Sequence, residues 1–151
     1  MWMNDTHYSG NPALDGMLRD TALSFQRLLE ALRVLAGDAS QNILDLYAKS
    51  GEVAVSQKSD ASPVTDADHA SHRLICESLT SLTPAIPVLS EESTLEQLIG
   101  RRDWPCCWMI DPLDGTREFL ERTGEFTVNI ALIIDAEAVL GLIAAPNRGY
   151  L

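Results

Sequence analysis

The feature that most constrains this chain is the stretch from Cys106 to Phe119, which reads Cys-Cys-Trp-Met-Ile-Asp-Pro-Leu-Asp-Gly-Thr-Arg-Glu-Phe. Its apolar first part predicts a strand that ends at Asp111. Pro112 should end any such strand, because proline has no N–H group for the β-ladder. Gly115 and Thr116 then mark a tight turn that exposes backbone N–H groups. The stretch therefore predicts a buried strand that delivers acidic side chains to a turn.

Asp111 and Asp114 lie three residues apart beside this turn, which makes them candidate ligands for a hard cation. Mg²⁺ prefers oxygen ligands in octahedral geometry and shares them with water and a substrate phosphate. The Leu113 carbonyl, released from the ladder by the turn, could supply a further oxygen. The formal net charge of -11 argues against a nucleic-acid surface, but bound cations would reverse the charge that a small phosphorylated ligand meets.

The composition is that of one globular domain: 151 residues, 46% of them hydrophobic. No apolar run approaches the roughly 18 residues of a membrane span, and the polar N-terminus shows no secretory signal. The three cysteines are an odd number, and the adjacent Cys106 and Cys107 should point to opposite faces of a strand. Buried reduced thiols in a cytoplasmic protein are therefore favoured over a disulfide or a zinc site.

The N-terminal third of the chain predicts a flexible lead-in and one long helix. Residues 1–17 show no apolar periodicity and are assigned to the lead-in. From Arg19 onward, apolar residues recur at three- and four-residue steps, as on one face of a helix. Gly37 is expected to bend this helix and Gly51 to close it as a C-cap glycine. Core packing without chemistry is the interpretation of this region.

A second helix is predicted after a short strand over residues 53–55. Thr65 is a good N-cap, and Asp68 stands three residues later, where an acidic side chain completes a capping box. From the residues alone, helix capping is favoured over catalysis for Asp68. His69 and His72, three residues apart on the same helix, are interpreted as solvent-facing rather than metal-binding.

The rest of the chain predicts short β-elements around further acidic residues. A strand over 88–90 is followed by the adjacent acids Glu91 and Glu92, which alone would mark a solvated helix start, and by a short helix over 95–99. Residues 127–145 contain two apolar segments separated by a polar turn and predict an antiparallel hairpin. Near-continuous apolarity indicates that both faces of this hairpin are covered.

Three of these segments resemble motifs of one family. Asp111-Pro112-Leu113-Asp114-Gly115-Thr116 resembles the core motif of the lithium-sensitive, magnesium-dependent phosphatases related to inositol monophosphatase. The Arg117-Glu118-Phe119 that follows resembles their 3'(2'),5'-bisphosphate nucleotidase branch, the CysQ type, since inositol monophosphatases more often carry Asn-Phe there. Ser62-Pro63-Val64-Thr65, together with Asp68, is similar to the family's second motif. Glu91-Glu92 is similar to its third.

The resemblance implies an α+β fold with the layered αβαβα sugar-phosphatase architecture. Residues 18–151 would form its N-terminal metal-binding lobe, with a largely antiparallel sheet packed against two long helices. The implied activity is that of a phosphomonoesterase that removes the 3'-phosphate of adenosine 3',5'-bisphosphate in sulfur assimilation. It would use two or three Mg²⁺ ions, with Li⁺ as an inhibitor. The implied location is cytoplasmic, with peripheral association at the inner membrane in some relatives.

The resemblance also assigns roles to individual residues. Those that would bind the metal ions are Glu91, Asp111, Leu113 (through its carbonyl) and Asp114. Those that would act in catalysis are Asp68 and Thr116, which would orient and deprotonate the attacking water, and Glu92 in support. Those that would contact the substrate are Glu91, Leu113, Asp114, Gly115 and Thr116. The Gly115 and Thr116 N–H groups, at the start of a helical turn, would hold the phosphate oxygens.

Family members continue into a second αβ lobe with a further metal ligand and most nucleotide contacts, and nothing in this chain corresponds to that lobe. We therefore expect a truncated chain without the C-terminal lobe, completed by self-association or by a separate chain. The partner would be a small phosphorylated nucleotide and not nucleic acid. Two alternatives stay open: a phosphatase for inositol 1-phosphate or fructose 1,6-bisphosphate, and a non-catalytic remnant or oligomerising half-domain.

Overall fold

The structure, a computed structural model, describes residues 10–21, 23–49, 55–57 and 63–149. The helices in these ranges are α1 (Pro12–Thr21), α2 (Phe25–Ala48), α3 (Asp66–Leu82) and α4 (Thr116–Leu120). The strands are β1 (Val55–Gln57), β2 (Pro63–Thr65), β3 (Val88–Ser90), β4 (Cys106–Asp114), β5 (Thr127–Ile134) and β6 (Glu137–Ala144). Two single-turn 3-10 helices cover Arg101–Asp103 and Pro146–Arg148. The α+β class is confirmed, as are the predicted strands around residues 55 and 88–90.

The main sheet has the strand order β3-β4-β5-β6, and β1 and β2 form a separate antiparallel pair. β4, β5 and β6 pair antiparallel, whereas β3 runs parallel to β4. The sheet is therefore mixed, and the expectation of a largely antiparallel sheet holds for two of its three pairings. The parallel pairing is possible because the fifteen-residue connection between the two strands is long enough to return the chain to the same end of the sheet.

The core lies between the sheet and the two long helices, as predicted. α2 and α3 pack against each other, α3 packs against β4, and α2 contacts β5 and β6. Along β5, buried side chains alternate with half-buried ones, so one face of the strand turns into the core. Trp108 on β4 is fully buried, and its indole Nε1–H donates to Thr83 Oγ1 at 2.8 Å. That bond satisfies the polar atom of the largest core side chain and ties β4 to the end of α3.

The expected lead-in over residues 1–17 is wrong for its described part, because α1 begins at Pro12. Proline is favoured in the first turn of a helix, where its missing N–H has no intrahelical partner in any case. Asn11 caps the helix, since its Oδ1 accepts the N–H groups of Ala13 and Leu14 at 3.0 and 3.1 Å. Leu14 and Leu18, one turn apart, are both buried. Residues 1–9 lie outside the described ranges.

The long helix starts later than predicted and continues through its glycine. α2 begins at Phe25 because Ser24 is its N-cap, accepting the Arg27 N–H at 3.2 Å, and Arg19 belongs to α1. Gly37 lies inside the 24-residue α2, which continues through it, and the expected bend there stays a prediction. The helix ends at Ala48, so the expected C-cap role of Gly51 falls on a residue outside the described ranges.

Pro112 does not end β4, contrary to the expectation. Pairing with β5 runs up to Asp111 opposite Asn129 and resumes at Asp114 opposite Thr127. Two residues of β4 thus face one residue of β5, which is the arrangement of a β-bulge. The bulge accommodates the missing N–H of proline without ending the strand. As a consequence, Asp111 and Asp114 both lie on one continuous strand with a local kink between them.

Two further expectations are wrong because the segments concerned are solvent-exposed. Residues 95–99 form hydrogen-bonded turns rather than a helix, and Leu95 is 85% exposed. β6 is the outermost strand in the described sheet order, and its Ile143 is 65% exposed, so the hairpin is not covered on both faces. The three cysteines are free, as predicted, but half-buried rather than buried. No helix in the described part of the chain is long and apolar enough to cross a membrane.

Candidate active site

The centre of the candidate site is a pair of acidic side chains, Glu91 and Asp111. The parallel register of β3 and β4 sets Ser90 beside Ile110, and the Glu91 N–H continues this pairing by donating to the Ile110 carbonyl at 3.2 Å. The next residue on each chain segment is therefore an acid that faces an acid. Burial raises the pKa of Asp111 to about 7, helped by the charge of Glu91, a hydrogen bond between the two carboxyl groups, and the charge of Asp114.

The raised pKa of Asp111 affects how this pair of carboxyl groups can bind a cation. The Leu113 N–H donates to Asp111 Oδ1 at 3.3 Å and opposes the rise in pKa, but burial and the neighbouring negative charges outweigh it. Two carboxylates held together in a half-buried position disfavour full ionisation, so a proton remains on the pair near neutral pH. A divalent cation would replace that proton and remove the repulsion.

Asp114 follows the bulge and is exposed, yet two side chains of β5 hold its carboxylate. Its Oδ2 accepts the Asn129 Nδ2–H at 3.1 Å and lies 3.4 Å from the hydroxyl donor Thr127 Oγ1. Asn129 stands opposite Asp111 in the sheet register while its amide reaches Asp114. The bulge and these two donors together fix Asp114 beside Asp111, and its charge contributes to the raised pKa of that residue.

Asp68 uses its two oxygens for two different tasks. Oδ2 accepts the Thr65 N–H at 2.7 Å and the Thr65 hydroxyl at 2.6 Å, which completes the predicted capping box of α3. Oδ1 accepts the Thr116 hydroxyl at 2.9 Å. The carboxylate is almost fully buried, at 1% exposure. Capping is therefore confirmed, and the same side chain also contacts the motif that contains Asp111.

α4 is held in place by packing at its far end and by backbone conformation at its start. Phe119 packs against Tyr47 of α2 and against Phe126, with ring centroids 5.2 and 5.4 Å apart. At the start, Gly115 has φ of +96°, and a Cβ there would lie 2.8 Å from the Glu125 carbonyl oxygen. Only glycine fits that position. These constraints bring Thr116 Oγ1 to Asp68 and to within 3.3 Å of the Leu113 carbonyl oxygen.

The structure thus brings most of the predicted site residues together in two linked groups. Glu91, Asp111 and Asp114 interact electrostatically, and Asp68 contacts Thr116. Glu92 lies in the same turn as Glu91, and its charge acts on His72 of α3. Within the described ranges, no three acidic, histidine or cysteine side chains converge to the spacing of a metal site. The assigned metal-binding and catalytic roles stay predictions.

The donor set nevertheless fits Mg²⁺. All candidate ligands are oxygen atoms, which this hard cation prefers, and a backbone carbonyl can complete a set of carboxylates. The pKa of Asp111 is raised first by burial and then by the charges of Glu91 and Asp114, and a bound cation would offset these effects. The residues present are therefore suited to a magnesium ion by both chemistry and charge.

A model of the inositol monophosphatase family matches residues 25–151. The chain belongs to the inositol monophosphatase family. It is 48% identical over 119 residues to the 3'(2'),5'-bisphosphate nucleotidase CysQ of Salmonella typhimurium strain LT2, which covers 79% of this chain and 48% of that protein. The corresponding protein of Escherichia coli K12 is 45% identical over the same length. The chain spans about half the length of the curated relatives it matches.

Solved structures of this family share the fold. CysQ from Bacteroides thetaiotaomicron is 40% identical, with a TM-score of 0.60 over 81% of this chain and 43% of its own. SuhB from Bartonella henselae is 30% identical, with a TM-score of 0.72 over 81% of this chain and 46% of its own. A LiCl-soaked inhibitory complex of staphylococcal inositol monophosphatase-1 has a TM-score of 0.73 at 16% identity, a likeness of fold alone.

The sequence alone did not predict two contacts that α3 makes near the candidate site. Ser71 is buried, and its hydroxyl donates to the Pro112 carbonyl at 2.8 Å. His72 was expected to face solvent, but it is half-buried, and its Nδ1 lies 2.8 Å from Ser90 Oγ. His69 is exposed, as predicted. Helical spacing from Asp68 could have indicated both missed residues, since positions three and four residues later lie on the same helix face.

Proposed function

We propose that this chain carries the cation-binding residues of a Mg²⁺-dependent 3'(2'),5'-bisphosphate nucleotidase, which removes the 3'-phosphate of adenosine 3',5'-bisphosphate. The observation that carries the proposal is the meeting of three distant segments: Glu91 contacts Asp111, and Asp68 contacts Thr116 of the following turn. The names of the CysQ relatives support the choice of substrate. The Arg117-Glu118-Phe119 ending favours the same branch.

The cations would be held by Glu91, Asp111, the Leu113 carbonyl and Asp114. Bound Mg²⁺ supplies an activated water and neutralises charge on the phosphoryl oxygens. Asp111, at the centre of the set, must lose the proton that it holds in the metal-free state. Glu91 faces it, and Asp114 is held next to it by Asn129. The chain therefore contributes oxygen ligands whose repulsion is reduced by a proton in the metal-free state and would be relieved by a bound cation.

Asp68 and Thr116 would position the attacking water. The Thr116 hydroxyl hydrogen is directed to Asp68 Oδ1, which leaves the lone pairs of Thr116 Oγ1 free to accept a hydrogen bond from water. As the water attacks, its proton can pass to Thr116 Oγ1 while the threonine proton passes to Asp68 Oδ1. Asp68 is well placed for this role because its other oxygen is anchored by two bonds to Thr65, which keep the carboxylate in one orientation.

The phosphate would meet the start of α4. The first N–H groups of a helix have no intrahelical partner, so Gly115 and Thr116 can offer theirs to phosphate oxygens. The positive φ of Gly115 gives the turn its sharp geometry, and its lack of a side chain permits close approach. Glu92 would support the site from the neighbouring turn, beside Glu91.

The deciding experiment is phosphate release from adenosine 3',5'-bisphosphate with Mg²⁺, for wild type and Asp111→Asn. We expect the variant to lose more than about 100-fold in rate, because even residues behind metal ligands cost about 10–100-fold. Asp135→Asn, an exposed aspartate in the β5–β6 turn, makes the same change of charge away from the site and should match wild type. Equal rates for wild type and Asp111→Asn would contradict the metal assignment.

The same assay separates the alternatives. Turnover of inositol 1-phosphate or fructose 1,6-bisphosphate above that of the nucleotide would move the chain to another substrate class. Mg²⁺ binding without phosphate release from any of the three would favour a non-catalytic unit. Light scattering, run in parallel, would test self-association through β6, the outermost described strand, at which the apolar Ile143 is exposed.

A further inference from the structure

His72 occupies a position on α3 that connects this helix to the acidic turn after β3. It lies one helical turn after Asp68, and its imidazole Nδ1 is 2.8 Å from Ser90 Oγ. Ser90 is almost fully buried, at 4% exposure, and is the residue directly before Glu91. The contact therefore joins α3, which carries Asp68, to the end of β3, which precedes Glu91.

Ser90 organises the backbone of the turn that carries the two glutamates. Its Oγ accepts the Glu92 N–H at 3.2 Å, and its own N–H donates to Ser93 Oγ at 3.1 Å. The Ser93 N–H donates to the Ser90 carbonyl at 3.1 Å. The Glu91 N–H is bound to the Ile110 carbonyl on β4. These four bonds all involve Ser90 or the neighbouring strand β4.

The imidazole is suited to fix the Ser90 hydroxyl in one orientation. Burial lowers the pKa of His72, opposed by the charge of Glu92 and assisted by that of His69. A neutral imidazole can present a lone pair at Nδ1 when its proton is on Nε2. Ser90 Oγ then donates its hydrogen to Nδ1 and accepts from the Glu92 N–H, so both capacities of the hydroxyl are used. On the same helix, Cys76 Sγ lies 3.6 Å from Nδ1.

We propose that His72 is a positioning residue, which acts through the Ser90 hydroxyl to hold the turn of Glu91 and Glu92 in the geometry that sets Glu91 against Asp111. This inference rests on the proposed function, because it assigns to His72 a part in building the cation site. His72 itself touches neither substrate nor cation. Its effect is to restrict the motion of the Glu91 carboxylate, so that binding a cation requires less ordering.

A purely structural role for His72 would have a different signature. Loss of packing between α3 and β3 would lower the melting temperature but leave Mg²⁺ affinity unchanged once the protein is folded. A positioning role predicts that Mg²⁺ binds about tenfold more weakly to His72→Ala, the range seen when residues behind metal ligands are removed. His72→Asn should stay close to wild type, because its amide can place a polar atom near the position of Nδ1.

The experiment is a calorimetric titration of the full chain with Mg²⁺ alone. The variants are His72→Ala, His72→Asn, Ser90→Ala and the double alanine variant, with His69→Ala as the matched control on the exposed side of the same helix. We expect Ser90→Ala to weaken binding at least as much as His72→Ala, because it also removes the acceptor of the Glu92 N–H, and the double variant to bind no more weakly than Ser90→Ala. Amide exchange of the Glu92 N–H in metal-free protein should be faster in His72→Ala than in His69→Ala.

The outcomes separate this inference from the proposed function. Unchanged Mg²⁺ affinity in His72→Ala, with Asp111→Asn failing to bind, would overturn the role of His72 and leave the cation site intact. Fully additive losses in the double variant would also overturn it. A wild type that binds no Mg²⁺ would overturn both. If His72→Ala does not fold, His72→Leu, which keeps apolar bulk but cannot accept the Ser90 hydrogen, decides the matter by its own Mg²⁺ affinity.

Discussion

Replacing Asp111 by asparagine should stabilise the metal-free protein at pH 8, although it removes a central residue of the candidate site. The folded state raises the pKa of this carboxyl from 3.8 to about 7, mainly through burial and secondly through the charge of Glu91. A raised carboxyl pKa means that folding favours the protonated form. The contribution to stability is therefore full below about pH 4 and is lost as the pH rises through about 7.

The size of the effect follows from the same pKa. A rise from 3.8 to about 7 would correspond to about 4 kcal/mol if the carboxyl were fully shielded from water. Because Asp111 is only half-buried, solvent screening reduces this to about 1–2 kcal/mol. Asparagine has the same shape without the charge and can donate a hydrogen bond to Glu91. We therefore expect a melting temperature about 2–8 °C higher for the variant at pH 8 without metal.

The assay is thermal unfolding of wild type and Asp111→Asn at pH 5 and pH 8, each with a chelator and with millimolar Mg²⁺. At pH 5 the folded wild type still holds the proton but its unfolded chain is already ionised, so the variant should be more stable by a smaller margin than at pH 8. At pH 8 Mg²⁺ should stabilise wild type and leave the variant unchanged. Asp135→Asn, an exposed residue, should show none of these differences. A variant less stable than wild type at pH 8 without metal would refute the reasoning.

Four further predictions concern the turn after β4, helix α2 and the proposed activity. Thr116→Val should lower the rate of phosphate release about 100-fold, whereas Thr116→Ser should retain most of the wild-type rate. Serine keeps the hydroxyl that donates to Asp68, and valine does not. Gly115→Ala should lower the free energy of unfolding by about 1–3 kcal/mol, since φ is +96° and Glu125 blocks the Cβ. Gly37→Ala, within α2 with open space around it, should raise the free energy of unfolding by about 0.5–1 kcal/mol. Urea titration would measure the change for both glycine variants. Any Mg²⁺-dependent phosphate release should be inhibited by sub-millimolar Li⁺; indifference to Li⁺ would count against the nucleotidase branch.

Local chemistry explains which parts of the fold the sequence could predict. The start of α3 was predicted correctly because its determinants, Thr65 and Asp68, are three residues apart and interact within one turn. α1 was missed because Pro12 was interpreted as a coil residue, although proline is compatible with the first turn of a helix. The break expected at Pro112 follows from its missing N–H, but the extra residue of the bulge provides an alternative to ending the strand.

The candidate site shows the limit of local reasoning more clearly. From spacing alone, Asp68 was a capping residue, and its contact with Thr116, 48 positions later, was indicated only by resemblance to a family. His72 was compared with His69, its neighbour along the helix, whereas its partner is Ser90 on another element. Contacts of this kind depend on how α3 packs against the sheet, and a single sequence does not contain that information in its periodicity.

The first two turns of α3 explain why this packing matters for the site. Asp68 accepts from Thr116 at the start of α4, Ser71 donates to Pro112 in the β4 bulge, and His72 binds Ser90 at the end of β3. Each of the segments that carries candidate ligands is therefore bonded once to the same rigid helix, whose own start is fixed by the Thr65 cap. A carboxylate on a loop alone would move away from its like-charged neighbours, because repulsion favours separation. Hydrogen bonds from α3 to three segments oppose that separation. The acidic groups of the candidate site can therefore stay close together before a cation binds.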